Sequence, residues 1–293
     1  IGPLRGVRPQ QGGDRRTEAE IAGNRQSKGR ERWEMRMPVL FVGHGSPMNA
    51  IEDNAFTEGW KRIAADLPRP EVILSVSAHW YTDGTRISSD PAPRTIYDMY
   101  GFPKALYDVV YNAPGSPETA AKILSLITVP CAVDNSWGLD HGTWSVLHKM
   151  YPDRNIPVLQ LSIDGRADAR AHFDIGRSLA VLREQGVMIF GSGNVVHNLR
   201  RIQMNRADGF DWAYEFDAYV RDNLINRRPE AILNPEKAGA CSKLSIPTPD
   251  HYDPLLYVLG ASQEDDALSI YNEACVMGSI SMTCYAFHKT ITV

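Results

Sequence analysis

Val39-Leu-Phe-Val-Gly-His44 and Val72-Ile-Leu-Ser-Val-Ser-Ala-His79 decide how the chain is read. Each is a short apolar run, the pattern of a strand buried on both faces, and each ends in a histidine where the strand is expected to stop. In an open α/β sheet, ligands bind in the crevice beyond the carboxyl ends of the strands. Two histidines delivered there by two early strands point to neutral imidazoles converging on one metal.

Strand-like and helix-like segments alternate outward from these runs. Ala55–Leu67 carries Phe56, Trp60, Ile63 and Leu67 at helical spacing. Ser116 is an N-cap with Pro117 in the first turn of a helix to about Ile127. Cys131–Val133, Pro157–Ile163 and Val187–Phe190 read as strands, the last running into Gly191-Ser-Gly-Asn194. Trp144–Met150, Arg170–Gln185, Trp212–Leu224 and His251–Gly260 read as helices, the second ended by Gly186. Alternation over Ser279–Phe287 predicts a final half-buried strand. The pattern predicts one α/β domain of three layers, a largely parallel or mixed central sheet with helices on both faces. Residues 225–250 read as a surface excursion. Residues 82–115 read as a long irregular loop rich in aromatics (Tyr97, Tyr100, Phe102, Tyr107, Tyr111), which either packs or walls a site.

Composition narrows the function classes. With 293 residues, 43% hydrophobic and 23% charged, the chain can bury a sizeable core without disulfides. A net charge of −4 argues against nucleic acid or an anionic membrane as a general partner. Residues 1–37 hold nine Lys/Arg against five Asp/Glu, leaving 22 against 30 in the remainder. Residues 1–36 show no hydrophobic period and are expected to be a flexible or non-native N-terminal extension, with the globular body from residue 37 to 293. The four cysteines lack CxxC spacing and read as reduced thiols of a cytoplasmic protein. No apolar run reaches the ~20 residues that span a bilayer.

Of eight histidines, five stand in notable contexts: His44 in Gly-His-Gly-Ser-Pro, His79 in Ser-Ala-His-Trp, His141 in Leu-Asp-His-Gly-Thr-Trp, His197 in Asn-Val-Val-His-Asn, and His251 in Thr-Pro-Asp-His-Tyr. His148, His172 and His288 read as surface or packing residues. Loops over one sheet edge converge even when distant in sequence, so several such histidines make a metal the leading reading, although the spacing is no compact signature such as HExxH.

The motifs Phe-Val-Gly-His-Gly-Ser-Pro-Met-Asn (41–49), Ser-Ala-His-Trp (77–80), Gly-Phe-Pro-Lys-Ala-Leu-Tyr (101–107), Trp-Gly-Leu-Asp-His-Gly-Thr-Trp (137–144), Gly-Asn-Val-Val-His-Asn (193–198) and Pro-Thr-Pro-Asp-His-Tyr-Asp-Pro-Leu-Leu-Tyr (247–257) closely resemble the DOPA 4,5-extradiol dioxygenase family. This is a branch of the class III extradiol ring-cleavage superfamily, to which the catalytic subunit of protocatechuate 4,5-dioxygenase is distantly related. The resemblance runs in order from Met37 to the C-terminus. It implies a non-haem, metal-dependent oxidoreductase that opens a catechol ring with O2 to a semialdehyde, acting as a monomer or small homo-oligomer. It implies His44, His79 and His251 at the metal, His197 as a fourth ligand or as a catalytic acid/base group, and His141 as a catalytic, substrate-facing group. Fe(II) is expected for O2 chemistry, because Zn2+ has no redox chemistry, yet zinc suits a histidine-rich site as the bound ion. Many non-haem Fe(II) oxygenases add one carboxylate to two histidines; here His251 stands at that place, with Asp250 and Asp253 beside it. Asp140 either caps the next helix or fixes the tautomer of an imidazole.

Two other classes compete. Ser46 invites a serine-hydrolase reading, but the sequence is not Gly-x-Ser-x-Gly, and Pro47 lacks the N–H that a nucleophile elbow needs. Ser46 is expected instead to cap a helical turn begun by Pro47. A zinc hydrolase on the same histidines, or a non-catalytic member of the fold, completes the alternatives.

Overall fold

In the computed structural model, which describes Gly2 and residues 36–289, the two opening runs become strands β1 (Val39–Gly43) and β2 (Val72–Thr82). Side chains alternate across β1 and sort into two cores. Val39 and Phe41 join one, and Leu40 and Val42 join the other. A strand buried on both faces needs a layer of helices on each, and that is what forms.

Helix α1 (Ala55–Asp66) follows β1, with Asn54 and Thr57 closing a capping box. After β2 come β3 (Thr85–Ile87), a single turn α2 (Lys104–Tyr107) and α3 (Pro117–Leu126), capped by Ser116 as expected. Then follow β4 (Cys131–Val133), α4 (His141–Met150), β5 (Val158–Asp164), α5 (Ala169–Leu179) and β6 (Val187–Gly193). The helix expected over Arg170–Gln185 tightens to a 3-10 turn at Ala180, and Gly186 ends it at φ +79°. The 225–250 excursion is built of short helices. It begins after α6 (Asp211–Ile225) and contains α7 (Pro229–Leu233) and α8 (Ala240–Ser245). Last come α9 (Asp253–Ala261), β7 (Asp266–Tyr271), β8 (Cys275–Val276), β9 (Ile280–Ser281) and β10 (Cys284–Lys289).

The main sheet has eight strands in the order β4-β3-β5-β2-β6-β1-β10-β7. Its centre, β5-β2-β6-β1, is parallel, whereas β10 and β7 extend it antiparallel beyond β1. The sheet is therefore mixed. Helices α1 and α4 cover one face, and α3, α5, α6 and α9 cover the other. At the entry to β1, the fully buried Arg183 donates to Met37 O and pairs with Asp266 at 2.7 Å, and Arg36 pairs with the same carboxylate. Arg36 thus belongs to the body; the extension expected before it lies, Gly2 apart, outside the described residues. All four cysteines are free, three of them buried. No described helix is long and apolar enough to cross a membrane.

The strand predicted over Ser279–Phe287 is interrupted, and the cause is a buried carboxylate. Asp217 on α6 accepts from Ser281 Oγ at 2.5 Å and from Thr283 Oγ1 at 2.8 Å. Asn194 Nδ2 donates to Ser281 O, and Ser281 N to Val196 O. Ser281 is thereby held to the loop after β6, and the ladder with β1 starts only at Tyr285.

Burial pushes the Asp217 carboxyl up to about 6, against an ordinary value of 3.8. A raised carboxyl binds its proton more tightly in the folded state, so its contribution to stability falls as pH rises from about 4 through 6. The full difference is worth about 3 kcal/mol. We expect Asp217→Asn to remove this decline. Urea unfolding of both proteins at pH 4.5 and 7.5 checks it, since equal losses in the two would show that Asp217 does not titrate in this way.

Candidate metal centre

Parallel pairing of β1, β6 and β2 brings their carboxyl ends to one edge, with Gly43 opposite Gly193 and Ser77 opposite Ser192. His44 follows β1 directly and is 2% exposed. Its N–H donates to Gly193 O, and its carbonyl accepts from Asn49 Nδ2 at 3.2 Å. Ser46 accepts from Met48 N and caps the 3-10 turn Pro47–Ala50, as its sequence predicted.

His79 does not end its strand. β2 runs on to Thr82, and its register with β5 shifts between Val76 and Tyr81. An irregularity of this kind re-aims a side chain within a strand, and here it turns His79 toward His44. Their Nε2 atoms lie 3.2 Å apart.

His141 is the first residue of α4, which starts earlier than the predicted Trp144 because Asp140 caps it, accepting from Thr143 N at 3.1 Å. Asp140 is fully engaged: it also accepts from Ser77 Oγ, Trp137 Nε1 and Gln160 Nε2. The imidazole of His141 turns to Asp98, a residue the sequence did not single out. Asp98 Oδ2 is 2.9 Å from His141 Nδ1 and 3.3 Å from His79 Nδ1. Burial opposes the charge on Asp98, but the His141 hydrogen bond outweighs it and holds the carboxyl below its usual value.

His251 lies in the turn before α9, so the helix predicted from His251 begins two residues later. The β6 end is Gly191-Ser-Gly193 because this turn rests on it. A Cβ at Gly193 would stand 2.1 Å from His251 O, the same oxygen that accepts from Asn194 N. Of the two flanking carboxylates, Asp250 Oδ2 is 2.5 Å from His251 Nδ1. Asp253 accepts from Tyr81 OH and lies 3.7 Å from His172, which is buried and bonded to Tyr257. Burial pushes the Asp253 carboxyl up to about 7. His197 stacks on His251, with centroids 3.4 Å apart and planes within 6°.

All five histidines singled out by sequence thus meet. The rings of His44, His79 and His251 form a nearly equilateral triangle, with centroid separations of 5.0, 5.3 and 5.1 Å. His141 joins at 3.9 Å from His79. His44, His79 and His141 offer ligand atoms within 4.8 Å of one another, and so do His197, Asp250 and His251. Burial, reinforced by neighbouring imidazoles, holds His44 and His251 well below the ordinary histidine value. Burial likewise pushes His79 and His197 down to about 4. These rings are neutral at pH 7, the state a metal requires.

The donor set fits a divalent metal. His251 Nε2 is buried with no hydrogen-bond partner, while Nδ1 faces the Asp250 carboxylate. Its proton therefore sits on Nδ1, and Nε2 carries an unused lone pair. Ser192 Oγ donates to Gly142 O, so it accepts from His44 Nδ1, and His44 Nε2 is likewise a lone pair. Partners of this kind orient the histidines of metal sites.

Residues 38–288 match the model of the catalytic LigB subunit of aromatic ring-opening dioxygenase. The chain is 48% identical over 255 residues to an Escherichia coli (strain K12) 4,5-DOPA dioxygenase extradiol, covering 84% of this chain and 93% of that one. It is 36% identical over 260 residues to the Beta vulgaris 4,5-DOPA dioxygenase extradiol, covering 86% and 97%. A crystal structure of an uncharacterized Escherichia coli K12 protein superposes with a TM-score of 0.75 at 44% identity, covering 86% of this chain and 99% of that one.

Close backbone approach at the β6 end makes Gly193 a point of failure. Gly193→Ala is expected to cost about 1–3 kcal/mol, the usual penalty of overpacking, and to weaken metal binding by displacing the His251 turn. Denaturant unfolding together with zinc titration checks both effects.

Proposed function

Because the chain belongs to the family of the catalytic LigB subunit of aromatic ring-opening dioxygenase, and is an extradiol ring-opening dioxygenase, we propose that it opens a DOPA-like catechol on one divalent metal held by His44, His79 and His251. The ring triangle carries this assignment: three imidazoles at 5.0–5.3 Å, with non-parallel planes, can aim their lone pairs at one point. The catalytic domain is the body from residue 37 onward.

His197 belongs to the chemistry rather than to the ligand set. A nitrogen lone pair lies in the plane of its ring. With the two planes nearly parallel and the centroids 3.4 Å apart, an ion in the plane of His251 sits over the face of His197. His197 therefore stands beside the metal as a proton-moving group. His141 is the second such group: with Nδ1 committed to Asp98, its Nε2 is the atom that takes a catechol hydroxyl proton. A bound Fe(II) would supply the redox path between catechol and O2, which Zn2+ cannot; zinc is the ion the same imidazoles would hold in a resting form.

The test is anaerobic loading with Fe(II), then addition of L-DOPA or another catechol and air. O2 uptake with a yellow semialdehyde product is expected, and no uptake with any catechol would sink the proposal. His44→Ala and His79→Ala should each lose the metal. His141→Ala and His197→Ala should keep it and lose about 10²–10⁴ in rate; metal analysis beside the rates separates the two groups, and a metal-free His197→Ala protein would make His197 a ligand.

A further inference from the structure

Asp98 is the one carboxylate that touches two of the five rings, and no part of the proposed chemistry yet accounts for it. We propose that Asp98 is a positioning residue that fixes the tautomers of His79 and His141 together, so that one ring offers its Nε2 lone pair to the metal and the other offers its own to the substrate. This rests on the assignment of His79 as a ligand and His141 as a proton-moving group.

The geometry is specific. Asp98 Oδ2 lies between the two Nδ1 atoms, at 2.9 Å from His141 and 3.3 Å from His79. Its Oδ1 accepts from the backbone N–H of His141 at 2.8 Å. An ionised carboxylate only accepts hydrogen bonds, so both Nδ1 atoms must carry protons to satisfy it. Both Nε2 atoms are then lone pairs. The Nε2 of His79 lies 3.2 Å from that of His44, whose proton Ser192 already places on Nδ1. Two lone pairs facing each other repel until a cation binds them, so the carboxylate primes the pair for a metal.

Asp140, next to His141 in sequence, cannot do this because its oxygens serve Thr143, Ser77, Trp137 and Gln160. Asp98 reaches the site because its loop is pinned on both sides. Ile96 N donates to Leu139 O, Trp144 Nε1 donates to Ile96 O, and Tyr97 OH donates to Val109 O. The first two bonds tie the loop to the segments on either side of His141, so the carboxylate and the ring are placed by the same frame.

The decisive variant is Asp98→Asn, similar in size and with a single acceptor oxygen that cannot serve two donors. In the metal-free protein, long-range ¹H–¹⁵N spectra of labelled histidine should show His79 and His141 protonated on Nδ1, and at least one of them should change tautomer in Asp98→Asn. Zinc affinity, measured by chelator competition, should fall by about 10–100-fold, with Asp98→Glu restoring part of it. In the Fe(II)-loaded enzyme, kcat should fall while KM for the catechol stays within about twofold. Wild-type zinc affinity together with unchanged tautomers in Asp98→Asn would overturn the proposal. A wild-type protein that binds zinc yet consumes no O2 would instead overturn the ring-opening reading, leaving affinity and tautomers to judge Asp98.

Discussion

The parallel ladder of β1, β6 and β2 is the constraint on which everything else depends. It fixes where the backbone stops being a strand and becomes a site, because Gly43, Gly193 and Ser77 are brought level by hydrogen bonds between main chains. The ladder also explains why the end of β6 reads Gly-Ser-Gly. Side chains at 191 and 193 would strike Pro254 O and His251 O, so the turn bearing His251 can lie on the strand only if nothing projects there. The serine between them projects to the other face and takes the proton of His44. Three consecutive residues thus carry a packing role, an orienting role and a packing role.

Electrostatics supplies the second layer. Five imidazoles gathered in one place cannot all be cations, and burial alone would leave their protons unassigned. The surrounding acceptors settle the matter ring by ring: Ser192 for His44, Asp250 for His251 and Asp98 for His79 and His141. Protons are held at the rim and lone pairs face the centre. The all-histidine character expected from sequence is therefore real at the centre, but carboxylates surround it, one step removed from the ion they help to hold.

Sequence made the centre legible and the rim illegible, for a physical reason. His44, His79, His141, His197 and His251 each follow or interrupt a recognisable local pattern, so periodicity and turn chemistry bring them forward. Asp98 sits in an irregular loop among tyrosines whose visible business is packing; Tyr111, for instance, is buried and bonds Tyr151 O. Its partner lies 43 residues away, and no local spacing encodes that. The same limit shows in the fold. The buried runs of β1, β2, β5 and β6 could be read, whereas β3 is only three residues long and β7 is a half-buried edge strand without clean alternation. The break before β10 depends on Asp217, more than 60 residues earlier. The bulge at His79 was missed for a related reason: it is a matter of register with β5, a property of two strands.

The position of β10 has a consequence in time. β1 is among the first segments of the body to be made, yet its two neighbours are β6 and β10, and Val39 pairs with Phe287. Met282, just before β10, lies against the backbone at Gly43 and Gly45, beneath the His44 loop. The strand that carries the first histidine therefore waits for nearly the whole chain before both its edges are covered. Contacts so distant in sequence form late and slowly. A partly synthesised chain holds the ligands without the frame that orients them, so metal capture is a closing step of biogenesis, and until then the β1 edge is a surface that needs protection from other chains.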